Sequence, residues 1–306
     1  MPNLALMKIA AHERHRGSEV EFRHAKRHGI YRGMFDAFDS VYASAIFERS
    51  RPTCERLLRE FPGAVIGGTG WDKCVKLDAA GVPEPIAPDY SIYPDWPHSI
   101  GFTQRGCRMK CPFCVVPVKE GNVRKESSVM DIWRGPGHPK NILLLDNDFF
   151  GEPDWPKEIE VLNGGNFRVC WNQGFNVRLI GDEEAAAIAT TNYRSGDFAR
   201  RRLYTAWDNR KDEKRLFKNL AALVKYGVNP DEIMVYMLIG YWDGPTMGKD
   251  DFYRYDKLRE FGCRPYPMPF VRTPELVGFQ RFVVRRESLK VSWEHFKAAN
   301  YRPERC

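Results

Sequence analysis

From residue 98 onward, strand-like apolar runs alternate with helical ones, and this alternation restricts the fold more than any other feature. Strand candidates lie at 99–103, 141–146, 167–172, 203–207, 232–239 and 264–269. Helical stretches lie between them near 127–134, 154–162, 182–190, 211–226 and 249–261. Strands joined through helices pair in parallel with right-handed crossovers, so the pattern predicts an α/β fold of the partial (β/α)6 barrel kind. "NILLLD" (141–146) and "IMVYMLIGY" (233–241) are strand-sized and far too short to cross a bilayer.

The chain ahead of this rhythm reads as a separate piece. In residues 1–75, "NLALMKIAAHERHRG" sets Leu4, Met7 and Ala11 beside Leu6 and Ala10 at helical spacing and stops at Gly17. "EVEF" (19–22) and "SVYAS" (40–44) are strand-like, and "SRPTCERLLREF" opens a helix with Ser50 as N-cap and Pro52 in the first turn. "AVIGGTG" is a buried strand entering a glycine-rich turn. Together these predict a truncated Rossmann-like α/β domain that lacks its opening strand. Residues 76–97 are proline-rich without periodicity, a linker or wrapping loop, and 271–306 form a basic, aromatic tail that packs on the barrel.

Nothing at the N-terminus reads as a signal peptide, which places the protein in the cytoplasm with no membrane partner. The net charge of +7 is concentrated early, in "HERHRGSEVEFRHAKRHGIYRG" (12–33). No aromatic residues interleave with that run in a stacking pattern, so it reads as a solvated face, with nucleic acid left open as a substrate.

Eight cysteines in a chain without export signals point to metal or redox chemistry instead of a disulfide framework. Cys107, Cys111 and Cys114 form C-x₃-C-x₂-C in "TQRGCRMKCPFCVVP" (103–117), directly after the first barrel strand, where such folds place their chemistry. Cys54, Cys74, Cys170, Cys263 and Cys306 are scattered, as buried structural thiols are. Structural zinc needs four closed ligands, and neither His98 nor His138 stands at ligand spacing. A four-iron cluster on three thiolates, with one iron left open, fits the trio better. Phe113, just before the third cysteine, would flank a small molecule at that iron.

This loop, its aromatic residue and the βα pattern over 98 to about 270 resemble the radical S-adenosylmethionine superfamily. The resemblance implies a [4Fe–4S] cluster on Cys107, Cys111 and Cys114 whose open iron chelates S-adenosylmethionine. It further implies reductive cleavage to a 5′-deoxyadenosyl radical, hydrogen abstraction from a substrate, and an electron donor of the flavodoxin or ferredoxin type. Other cofactor contacts are expected at the strand ends. Asp146 or Asn147 stands where the family often has Gly-Gly-Glu, which this chain lacks. Gln173 points into the mouth, and Arg178 is a fork for the methionine carboxylate. Asp208 ends the fourth strand, Gly240 lets backbone approach a ligand, and the stretch around Met268 reads the adenine edge. Asp148 and Asp182 read as helix caps.

"VIGGTGWD" (65–72) and the chain that follows resemble the junction between a cobalamin-binding-like domain and a radical barrel, as in Fe–S oxidoreductases of bacteria and phages. The Asp-x-His-x-x-Gly motif of cobalamin binders is missing, so cobalamin is not expected, and Gly67, Gly68 and Gly70 read as a tight turn. Two other readings stay open. One is a radical enzyme that methylates or otherwise modifies RNA; the other is a zinc-stabilised nucleic-acid-binding module.

Overall fold

The computed structural model describes residues 1–25 and 38–300. The last part of the basic run, residues 26–33, and the last six residues, with Cys306, lie outside the described residues. The described chain forms two compact units, one of residues 1–97 with 110–120, the other of 98–109 with 121 onward.

The first unit holds helix α1 (Leu4–His15), strand β1 (Tyr42–Ser44), helix α2 (Arg51–Glu60), strand β2 (Val65–Gly67) and a short helix α3 (Val116–Lys119). Helix α1 is capped by the Asn3 side chain, which accepts from Leu6 N–H, and it buries Met7, Ala10 and Ala11. β1, α2 and β2 make one βαβ step with a parallel pair, Ala43 opposite Ile66. Its core is small: Ala45, Cys54 and Ile66. "EVEF" is not a strand, and Ser50 makes no capping bond, because it lies in helical backbone (φ −86°, ψ −5°) as the last residue of a preceding 3₁₀ turn. Gly68 has φ +99°, and a Cβ there would lie 2.4 Å from Ala45 O, so the glycine turn exists to let two backbone segments touch.

The second unit carries β3 (Ser99–Gly101), β4 (Gln104–Arg105), β5 (Arg124–Lys125), α4 (Val129–Ile132), β6 (Asn141–Leu144), α5 (Trp155–Gly164), β7 (Arg168–Trp171) and α6 (Asp182–Thr190). It continues with β8 (Asn192–Tyr193), β9 (Leu203–Ala206), α7 (Glu213–Lys225), β10 (Ile233–Ile239), α8 (Lys249–Glu260), β11 (Arg264–Pro269), α9 (Pro274–Val284) and α10 (Trp293–Asn300). All six strands expected from the rhythm are present and parallel. They pair as two sheets, β3-β6-β7-β8 and β9-β10-β11, where one continuous six-stranded sheet was expected.

The division has a local cause. The two-residue strand β8 takes the edge of β7 at Arg168 and Val169, the ladder positions that β9 would otherwise use. Farther along, Phe175 N–H donates to Tyr204 O at 3.1 Å, so the chain after β7 still meets β9. Helices and strands share one core, in which Leu162, Ile188, Leu220, Leu223 and Leu258 are buried together with Val169, Val235 and Ile239. Burial alternates strictly along β10, as expected of a strand with one face under helices. No helix among the described residues is long and apolar enough to cross a membrane.

Candidate functional site

The cysteine loop is built on the end of β3. Thr103 and Gln104 follow that strand, and both donate backbone N–H to Asp146 Oδ1, at 2.8 and 3.4 Å; the Thr103 hydroxyl bonds Asp146 Oδ2. Asp146 is 1% exposed, and burial pushes its carboxyl up to about 7, against the lowering effect of those bonds. Two residues on, the equally buried Asp148 grips Arg108. The guanidinium donates through Nε to Oδ2 at 2.8 Å and through Nη2 to Oδ1 at 2.9 Å, and the Arg108 backbone N–H adds a bond of 3.1 Å. This bidentate pair ties the end of β6 to the chain between the first and second cysteines. Asp148 therefore does not cap a helix, and no capping bond from it forms. Asp182 is the first residue of α6 and pairs with Lys225 at 2.9 Å, while Gly181 holds the N-cap position.

All three cysteines are half-buried. Cys107 belongs to the second unit; Cys111 and Cys114 lie in the segment that belongs to the first. Cys107 Sγ accepts the Met109 N–H at 3.3 Å, and Cys114 Sγ accepts the Val116 N–H at 3.5 Å. Cys114 N–H donates to Cys111 O at 3.0 Å, closing a turn around Pro112 and the half-buried Phe113. N–H···S bonds stabilise thiolates and adjust the potentials of clusters bound to them. The donors suit iron or zinc by their chemistry; among the described residues, no group of three or more His, Cys, Asp or Glu is gathered in metal-holding geometry.

The other candidates lie at strand ends of the second unit, mostly with protein partners of their own. Asn147 is half-buried between the two aspartates, and Gln173 is exposed just beyond β7. Arg178 is buried and donates to Asp212 Oδ2 at 2.7 Å and to Asn176 Oδ1 at 2.9 Å. Asp208 accepts the Leu238 N–H at 2.9 Å, and burial raises its carboxyl pKa. Gly240 has φ +70°, but the space a side chain would occupy is filled from α9: a Cβ would lie 2.3 Å from Leu276 Cδ1. The close approach expected at Gly240 is thus made by a packed leucine. Met268 is exposed on β11, and Pro267 O accepts from Gln280 Nε2 at 2.9 Å.

Three features escaped the sequence reading. Tyr204, Tyr236 and Tyr266 form a row across β9, β10 and β11, with ring centroids 5.8 and 5.7 Å apart. Burial raises the phenols of Tyr204 and Tyr236 and pushes Cys170 to about 12. The strict alternation of β10 was the available signal. At the ends of β10 and β11, Tyr241 meets Trp242 and Phe270 edge-on, and the latter two are exposed. Third, the Gln104 side chain is wholly buried with both amide atoms unpartnered, a burial worth roughly 1–3 kcal/mol per unpaired group.

No protein-family profile matches this chain, and no curated protein matches it.

Proposed function

We propose that this chain is a radical S-adenosylmethionine enzyme of the cytoplasm, and that the two parallel sheets of its second unit form an open (β/α)6 half-barrel. The observation that carries the reading is the C-x₃-C-x₂-C loop, with Phe113 before its last cysteine, at the C-terminal end of β3. The Asp146 and Asp148 anchors fix the base of that loop, as a precisely held donor set requires.

In this reading Cys107, Cys111 and Cys114 would hold a [4Fe–4S] cluster, and that group would supply one-electron chemistry for reductive cleavage of S-adenosylmethionine. The chain's own residues bind, orient and shield. Backbone N–H groups of Met109 and Val116 donate to the Cys107 and Cys114 sulfurs and orient them. Asn147, Gln173 and Asp208 line the same strand ends and orient polar groups of the cofactor. Arg178, already paired with Asp212, acts on a carboxylate only through that pair. Trp242 and Phe270 offer exposed aromatic surface to a substrate, and electrons come from a flavodoxin- or ferredoxin-type donor. The parallel strands ending in polar groups favour this over a zinc module, which has no use for such an array.

The test is product formation. Anaerobic protein with dithionite and S-adenosylmethionine is expected to release 5′-deoxyadenosine and methionine, and Cys107→Ala, Cys111→Ala and Cys114→Ala each to release none. Release that survives any of the three substitutions overturns the proposal.

A further inference from the structure

Gln104 stands three residues before Cys107 and is 0% exposed, yet neither Oε1 nor Nε2 has a hydrogen-bond partner. Its backbone is fixed on both sides. Asp146 accepts its N–H, and the residue faces Lys125 across the β4–β5 ladder. The side chain therefore cannot relieve its amide by moving the strand. A leucine or methionine would fill the same volume without the cost, so the amide is best explained by a partner outside the protein chain.

The form of the orphan limits that partner. One planar amide leaves a donor and an acceptor side by side, and it pairs fully only with a coplanar acceptor and donor. A carboxylate presents acceptors alone and an ammonium donors alone. Adenine presents both along one edge, and glutamine pairs with it in two bonds.

We propose that Gln104 reads the adenine edge of a bound adenosyl group, accepting from its exocyclic amine through Oε1 and donating to the adjacent ring nitrogen through Nε2. The inference rests on the adenosyl chemistry of the proposed function. It places base recognition on β4, at the entrance to the cysteine loop, in addition to the β11 stretch expected from sequence. Gln104 is 0% exposed, so the proposal requires a local shift of the groups above it to admit the base.

The test uses full-length wild type, Gln104→Leu and Gln104→Met, with two probes that divide the cofactor. 5′-Methylthioadenosine carries the base without the amino acid; methionine carries the amino acid without the base. Calorimetry is expected to show methylthioadenosine binding weakened tenfold or more in both variants, roughly the loss of a bidentate pair, with methionine binding unchanged. Thermal denaturation without ligand is expected to show both variants as stable as wild type or more so, since each removes an unpaired buried amide. Unchanged methylthioadenosine binding, or no binding to wild type, overturns the inference. So does lowered ligand-free stability in both variants, which would mark the amide as structural. Failure of the proposed function reads differently: wild type would bind methylthioadenosine in a Gln104-dependent way and yet release no 5′-deoxyadenosine.

Discussion

Asp146→Asn separates the shape of the loop anchor from its charge. Asp146 is fully enclosed, and burial lifts its carboxyl from 3.8 to about 7. The native state therefore holds this proton more tightly than the unfolded chain, where aspartate titrates near 4. Between about pH 4 and 7 the folded protein binds more protons, so stability is fully present below that window and falls as pH rises through it. A rise of about three pH units, at roughly 1.36 kcal/mol each, makes about 4 kcal/mol depend on the proton, of which about 2–3 kcal/mol lies between pH 5 and 8. Asparagine copies the protonated form: Oδ1 accepts from the Thr103 and Gln104 N–H groups, and Nδ2 donates to the Thr103 hydroxyl. Urea denaturation at pH 5 and pH 8 is the assay. Relative to the variant, wild type is expected to lose about 2–3 kcal/mol on going to pH 8. If Asp146→Asn is destabilised equally at both pH values, the carboxylate is charged in the fold and the reasoning fails.

Three further outcomes follow from the geometry. Arg108→Ala strands the buried Asp148 carboxylate and is expected to cost about 3 kcal/mol in denaturant unfolding, with Arg108→Lys intermediate because it lacks the fork. Gly240→Ala meets both a left-handed backbone and Leu276 Cδ1, and is expected to cost about 2 kcal/mol or more; Leu276→Ala in the same chain relieves the clash but not the backbone strain. In the metal-free folded protein, mass spectrometry after iodoacetamide treatment is expected to find Cys74, Cys107, Cys111 and Cys114 modified ahead of Cys54, Cys170 and Cys263, the last two held near 12 by burial.

The strands of the second unit were legible because each is a continuous apolar run between turn residues, and period and length suffice to find such runs. The division into two sheets was not, since it depends on β8, a pair of residues too short to carry any period, occupying the edge of β7. The N-terminal helix was readable from its spacing and Gly17. "EVEF" misled because four alternating residues find no partner strand there. At the site, the cysteine spacing is a local pattern and shows in the sequence. The pairing of Arg108 with Asp148, the enclosure of Asp146 and the unpartnered amide of Gln104 join residues about forty apart or depend on burial, which one sequence does not display. A close approach at Gly240 could be read from its place at a strand end, but not that Leu276 supplies it.

Electron paramagnetic resonance of the dithionite-reduced, anaerobically purified protein tests the central claim most directly. The account predicts a cubane signal that changes when S-adenosylmethionine is added and vanishes in Cys107→Ala, Cys111→Ala and Cys114→Ala alike. Bound zinc in place of iron, or a cluster signal that S-adenosylmethionine leaves unchanged, would contradict it.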